Sequence, residues 1–176
     1  MKKTPLCVDL DGTLLKGDST YRVFKEVVFK SPLKFFGFLP NLLFNRGALK
    51  EVLRAQLAVK LSWEFYPDVV EYLKLEKESG RRLYLATGCD QIMAHEIVKD
   101  LDLFDGVFGS SDGVNFISAK KAELLIEKFG EGQFDYIGNS SQDLAVWAKA
   151  RYALVANADE GLLEKAKKIA EVVKVF

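Results

Sequence analysis

Two aspartates separated by one residue follow a short apolar segment near the start of the chain. Residues 6–8 are apolar, and Asp9, Leu10 and Asp11 come next, before a turn at Gly12. This pattern predicts a buried strand that delivers polar groups at its carboxyl end. Two carboxylates this close repel each other, and a divalent cation such as Mg²⁺, which prefers oxygen ligands, relieves the repulsion. The alternative is a surface turn with two solvated aspartates, which fits an apolar strand poorly.

Three other stretches carry polar groups suited to the same site. Thr87 and Gly88 offer a hydroxyl and backbone N–H groups to an anion. Asn139 and Asp143 offer an amide oxygen and a carboxylate to a metal, and Lys121 offers a positive charge to a phosphate. Each has an ordinary structural interpretation when taken alone, as a helix cap, a turn or a solvated lysine. Their order along the chain favours one shared site.

The apolar pattern also predicts the elements that hold these residues. Strands are predicted at residues 6–10, 82–87, 107–108, 134–138, 152–155 and 172–176. Helices are predicted at residues 67–79, 90–101, 119–129, 142–149 and 159–170. Strands that alternate with helices favour a parallel sheet covered on both faces, which is a three-layer, Rossmann-like α/β fold. In such sheets, ligands bind outside the carboxyl ends of the strands.

The segment 16–66 interrupts this alternation and is predicted to be a small helical cap inserted after the first strand. Its first 45 residues hold six of the 13 phenylalanines and carry nine basic and three acidic side chains. The predicted domains are therefore an α/β core, formed by residues 1–15 and 67–176, and a cap at 16–66.

One part of the cap, residues 32–44, is too apolar for an ordinary soluble surface and too short to span a bilayer. Basic residues flank it on both sides, which suits a segment at a membrane interface. The alternative is that its phenylalanines pack within the cap and against the core.

The composition narrows the class of protein. Lysine plus arginine and aspartate plus glutamate both number 25, which excludes a broadly basic nucleic-acid-binding protein. The two cysteines suit a reducing compartment, and the chain has neither a run of 18 apolar residues nor an apolar leader. We therefore expect a cytoplasmic protein, with peripheral attachment to the inner face of the membrane as the alternative.

These motifs resemble those of the haloacid dehalogenase (HAD) superfamily of phosphotransferases, and the resemblance covers nearly the whole chain. The matching positions are, in chain order, residues 9–13, Thr87, Lys121 with Lys120 as the fallback, and residues 138–143. One position departs from the pattern, because Asn139 stands where most members place an aspartate.

The resemblance implies a phosphatase in which Asp9 attacks phosphorus and forms an aspartyl-phosphate. Asp11 would protonate the leaving group and then activate water. Dehalogenase members lack this second aspartate, so its presence points to phosphoryl transfer instead of carbon–halogen cleavage. Thr87, Gly88 and Lys121 would bind the phosphoryl group, with Mg²⁺ as cofactor. The implied metal ligands are Asp9, Asp11, Asn139 and Asp143.

A second, less specific resemblance concerns residues 5–15 and 134–147. They are similar to the soluble phosphatase-like domain that precedes UbiA-like membrane prenyltransferases. Membrane contact of the cap would make a lipid-linked phosphate a natural substrate, and a sugar phosphate is the other candidate. The resemblance also keeps an alternative open, a weakly active or inactive module that docks on such a membrane enzyme and regulates it. A phosphotransferase with an acceptor other than water is a third option.

Overall fold

The computed structural model describes residues 3–30, 61–111 and 115–176. The strands, numbered β1 to β6, are Leu6–Val8, Leu83–Asp90, Gly106–Ser110, Asp135–Gly138, Ala153–Val155 and Val172–Val175. The described helices, numbered α1 to α6, are Ser19–Lys30, Pro67–Glu78, Gln91–Val98, Ala119–Phe129, Leu144–Trp147 and Glu160–Ile169. Most of the predicted cap, including its apolar segment 32–44, lies outside the described residues. The proposed division into core and cap therefore stays a prediction.

All six strands pair in parallel and form one sheet in the order β3-β2-β1-β4-β5-β6. β2 and β3 extend the sheet from one edge of β1, and β4, β5 and β6 extend it from the other edge. This arrangement places a crevice at the carboxyl end of β1, where ligands bind in open parallel sheets. The predicted α/β fold is confirmed, with helices on both faces of a parallel sheet.

The two faces of the sheet carry separate apolar clusters, because successive side chains of a strand point to opposite sides. Leu6 and Val8 of β1 belong to the cluster that α2 and α3 cover. Cys7, between them, belongs to the cluster covered by α4, α5 and α6. β1 is therefore buried on both faces along its whole length.

Several predicted boundaries differ from the structure, and the differences have local causes. β2 extends to Asp90, because the ladder with β3 resumes at Ser110 after an irregularity at Thr87 to Cys89. The helix predicted at 142–149 is confined to α5, because a 3₁₀ turn, Ser141–Asp143, forms its first part. The helix predicted at 90–101 also ends in a 3₁₀ turn, after Val98.

Among the described residues, no helix is both long enough and apolar enough to cross a membrane.

Candidate active site

Asp9 leaves the end of β1 and meets Lys121, which comes from the first turn of α4. Lys121 Nζ donates a hydrogen bond to Asp9 Oδ1 at 2.7 Å, and both side chains are buried. Lys120, the fallback from the sequence, lies on the exposed side of the same helix. The helix therefore directs the second lysine of the pair, and not the first, at the end of the central strand.

Asp143 lies behind this pair and organises the loop that follows β4. Its Oδ2 accepts hydrogen bonds from the backbone N–H groups of Asn139 and Ser140 and from the Ser140 hydroxyl, at 3.0–3.1 Å. Its Oδ1 accepts from Lys121 at 3.3 Å. The side chain is 1% exposed, and both its oxygens have protein donors. Asp143 thus anchors Lys121 and the 139–143 turn from inside the protein.

Tyr136, in the middle of β4, completes the buried network. Its hydroxyl accepts a hydrogen bond from Lys121 Nζ at 2.8 Å and donates one to Asp143 Oδ1 at 2.8 Å. The side chain is fully buried. This role could not be predicted from the sequence, because an aromatic residue in a central strand is usually a packing residue.

Asp11 lies after the turn that follows β1, and its carboxylate is held by the start of α1. Ser19 donates to Asp11 Oδ1 through its backbone N–H at 2.7 Å and to Oδ2 through its hydroxyl at 3.1 Å. Burial raises the pKa of Asp11, and the bonds from Ser19 oppose this change. The proton-transfer residue predicted from the sequence is therefore tied to the helix that begins the predicted cap.

Thr87 and Gly88 form the wall beside Asp9. The Thr87 hydroxyl oxygen accepts from the backbone N–H of Cys89 at 3.0 Å, so its own proton is not needed for that bond. A methyl group on Gly88 would lie 2.6 Å from the Ile117 side chain, so the loop before α4 passes closely over this glycine. Burial raises the pKa of the Cys89 thiol to about 12, which keeps it protonated and unreactive.

Gly12 allows the loop after β1 to approach the loop after β4. Its φ of +75° lies in the region that favours glycine, and a methyl group there would overlap the Asn139 amide. Asn139, a predicted metal ligand, is thus brought against Gly12, the residue that follows Asp11.

These elements enclose a cavity of about 360 Å³ at the carboxyl ends of the strands. It gathers the predicted residues Asp9, Asp11, Thr87, Gly88, Lys121 and Asn139. Asp143 is absent from its lining and lies behind it. The lining also includes Ser140 and Gln142 of the 138–143 motif, and residues that the sequence did not indicate as a site, namely Asp18, Thr20, Cys89, Asn115 and Ile117. Their backbone positions depend on loops, and no periodic pattern marks them.

The charges in the site are unbalanced. Three aspartates line the cavity, and Lys121 is the one basic side chain among its described lining residues. Burial raises the pKa of Asp9 to about 7, although Lys121 acts in the opposite direction. Burial alone would lower the pKa of Lys121, but Asp9 and Asp143 offset this effect and the pKa is raised. The lysine therefore stays charged, and the carboxylates favour an additional cation.

The oxygen atoms of the cavity suit Mg²⁺. The described residues contain no cluster of three carboxylate, imidazole or thiol side chains arranged as a complete metal site. Asp9 Oδ2, however, has only a long contact of 3.4 Å from the Thr13 hydroxyl, and the Asn139 amide faces the same cavity. Mg²⁺ usually takes one or two carboxylates and keeps several waters, so this smaller donor set fits it.

The sequence and the fold place the chain in a known family. The model of the haloacid dehalogenase-like hydrolase family matches residues 6–147, which is most of the chain. The protein belongs to this family. An uncharacterized protein, y4nM, of Sinorhizobium fredii is 37% identical over 155 residues. That match covers 88% of this chain, which spans only 30% of the length of the relative.

Solved structures share the fold at low sequence identity. A haloacid dehalogenase-like hydrolase from Streptococcus pneumoniae is 18% identical, with a TM-score of 0.64, over 98% of this chain and 93% of the other. A phospho-aspartyl intermediate analogue of phosphoserine phosphatase is 17% identical, with a TM-score of 0.64, over 100% of this chain and 94% of the other. At these identities the similarity shows the fold.

The contact between Gly138 and Asp143 yields a first prediction. A methyl group on Gly138 would lie 2.6 Å from Asp143 Cγ, so Gly138→Ala forces Asp143 away from its donors. We expect the free energy of unfolding to fall by about 1–3 kcal/mol, measured by urea denaturation. Gly161→Ala, on the exposed side of α6, is the control, with a change of less than about 1 kcal/mol. Equal stability of Gly138→Ala and wild type would contradict the packing described.

Proposed function

We propose that the protein is a Mg²⁺-dependent phosphohydrolase that cleaves a phosphomonoester through an aspartyl-phosphate on Asp9. The supporting observation is the cavity itself, in which the Asp9 carboxylate faces oxygen-rich walls and is paired with a buried ammonium. A nucleophile, a proton-transfer group and a charge-stabilising group for one reaction all lie around it. The phospho-aspartyl intermediate analogue of phosphoserine phosphatase, which shares the fold, adds support.

In the first step, a carboxylate oxygen of Asp9 attacks phosphorus, and the bond from phosphorus to the leaving oxygen breaks. Asp11 gives its proton to that oxygen, and its raised pKa favours the protonated form that this step needs. To reach the leaving group, the Asp11 carboxyl exchanges its bonds to Ser19 for one to the substrate. In the second step, Asp11 takes a proton from water, the water attacks phosphorus, and the Asp9–phosphorus bond breaks.

The remaining residues stabilise the phosphoryl charge. Thr87 and the Gly88 N–H act as neutral donors, and Lys121 acts as a charged donor. Asp9, the Asp11 backbone carbonyl and Asn139 would hold Mg²⁺, with Asp143 behind them. The ion supplies positive charge that offsets the carboxylates and the phosphate.

We infer the substrate class from three polar residues of the cavity lining. Thr20, Asn115 and Gln142 provide hydroxyl and amide groups, which suit a hydroxylated leaving group such as a sugar. A lipid-linked phosphate is the other candidate, because the sequence of segment 32–44 is apolar and flanked by basic residues. This substrate would place the enzyme in the cytoplasm, at the inner face of the membrane.

The nucleophile can be tested directly. Turnover of phosphorylated sugars and lipid phosphates is measured as phosphate release with Mg²⁺. We expect Asp9→Asn to reduce turnover by at least about a thousandfold, because no covalent intermediate can form. Asp18→Asn, which removes a charge from the same cavity, is the control and should keep most of the activity. Full activity of Asp9→Asn would disprove the proposed mechanism.

The metal ligand can be tested without turnover. Asn139→Asp adds a charged oxygen at the proposed Mg²⁺ site, so we expect Mg²⁺ to bind about tenfold more tightly by calorimetry. Gln142→Glu adds the same charge at the edge of the cavity and should change the affinity much less. If both variants bind Mg²⁺ as wild type does, Asn139 is not a ligand.

A second candidate function is a regulatory module that docks on a membrane prenyltransferase. The supporting observation is that the match covers only 30% of the longer Sinorhizobium relative. A region similar to this chain therefore occurs within a larger polypeptide. The departure at Asn139 and the apolar, basic sequence of the cap also favour it. Weak catalysis and membrane contact are compatible with each other, so the two functions can coexist.

Membrane contact through the cap predicts sedimentation with vesicles. We expect the protein to cosediment with vesicles that contain anionic lipid, and less at high salt, because basic residues flank segment 32–44. Phe35→Glu together with Phe36→Glu should abolish sedimentation, whereas Tyr21→Glu, on the exposed side of α1, should not. Absence of sedimentation with anionic vesicles would argue against this contact.

A further inference from the structure

The buried hydroxyl of Tyr136 lies between Lys121 and Asp143. The packing of the ring does not require this hydroxyl. The Tyr136 ring packs in the cluster under α4, α5 and α6, as a phenylalanine would. Its hydroxyl reaches past that cluster to Lys121 and Asp143. Burying a hydroxyl without hydrogen-bond partners costs free energy. The role of the Tyr136 hydroxyl must therefore lie in the hydrogen bonds that it makes.

Lys121 has three protons and three acceptors. Its Nζ lies 2.7 Å from Asp9 Oδ1, 2.8 Å from the Tyr136 hydroxyl oxygen and 3.3 Å from Asp143 Oδ1. Every proton of the ammonium therefore has a partner within the protein. The carboxylate that carries the proposed reaction is the nearest of the three, and the structural carboxylate is the farthest.

Asp9 and Asp143 are both buried acceptors for the Lys121 ammonium. The Tyr136 hydroxyl influences which of the two the ammonium approaches more closely. By donating to Asp143 Oδ1, Tyr136 satisfies part of that oxygen with a neutral group. By accepting from Lys121, it draws one N–H away from a direct contact with Asp143. Without the hydroxyl, the ammonium would lose one acceptor and Asp143 would lose one donor, and both losses are reduced when Nζ moves toward Asp143.

We propose that Tyr136 is a positioning residue that holds the Lys121 ammonium closer to Asp9, and hence to the phosphoryl group, than to Asp143. This inference rests on the proposed function, because the phosphoryl group is its intended partner. The ammonium stabilises the reaction only if it lies close to the phosphoryl group, where the negative charge develops. A lysine that moved toward Asp143 would lie farther from that group.

The geometry can be tested by crystal structures of wild type and Tyr136→Phe. In the variant we expect Nζ to lie nearer to Asp143 Oδ1 than to Asp9 Oδ1, which reverses the present order. Tyr84→Phe is the matched control, because its ring packs on Phe108 and Phe129 and not at the cavity. An unchanged Nζ position in Tyr136→Phe would overturn the inference.

The kinetics supply the functional readout. We expect Tyr136→Phe to lower kcat about tenfold or more and to change KM less than about threefold, because the lost contact matters most during phosphoryl transfer. In a Lys121→Ala background the same substitution should cost less than about twofold, since its effect passes through the lysine. Unchanged kcat in Tyr136→Phe, or an equal loss in both backgrounds, would overturn the inference.

The two proposals fail in distinguishable ways. If wild type hydrolyses no phosphate ester, the proposed function fails, and the crystal structures alone decide whether Tyr136 positions the lysine. If wild type is active and Tyr136→Phe matches the Tyr84→Phe control in kcat, the phosphatase stands and the role of Tyr136 is wrong.

Discussion

The arrangement of the site depends on one buried ammonium shared by two buried carboxylates. Lys121 lies between Asp9 and Asp143, and all three side chains are removed from water. Such a cluster is stable only if each charge keeps its partners, because a single unpaired charge in this environment is strongly destabilising. With both carboxylates ionised, the cluster carries one net negative charge. A further cation at the site would offset this charge, which is the role that the proposed function gives to Mg²⁺.

The parallel sheet makes this cluster possible because it fixes the ends of β1 and β4 against each other. The backbone N–H of Asp9 donates to the Ile137 carbonyl at 3.0 Å, which continues the ladder up to the nucleophile. At the amino end of β4, Asp135 is paired with Arg81 and Arg151. Asp135, the one charged residue of β4, thus lies at the amino end of the strand, and the Lys121 cluster lies toward its carboxyl end.

The sequence was sufficient for the parts of the molecule that follow from local patterns. Alternating strands and helices predicted the sheet, and the acidic turn after the first strand predicted Asp9 and Asp11. The roles of Tyr136 and Ser19 could not be predicted, because they depend on which elements pack together and not on local sequence. The same reason applies to Asp143, whose anchoring of its own loop becomes visible only when its five donors are known.

Asn139 and Tyr136 are connected through this balance of charge. An aspartate at position 139 would bring a fourth carboxylate to the cavity lining and would hold a divalent ion more strongly. In the proposed reaction, a neutral amide there holds Mg²⁺ more weakly, and the Lys121 ammonium then carries a larger share of the phosphoryl charge. The direction in which Lys121 points then matters more, and the hydroxyl that sets this direction compensates in part for the missing carboxylate.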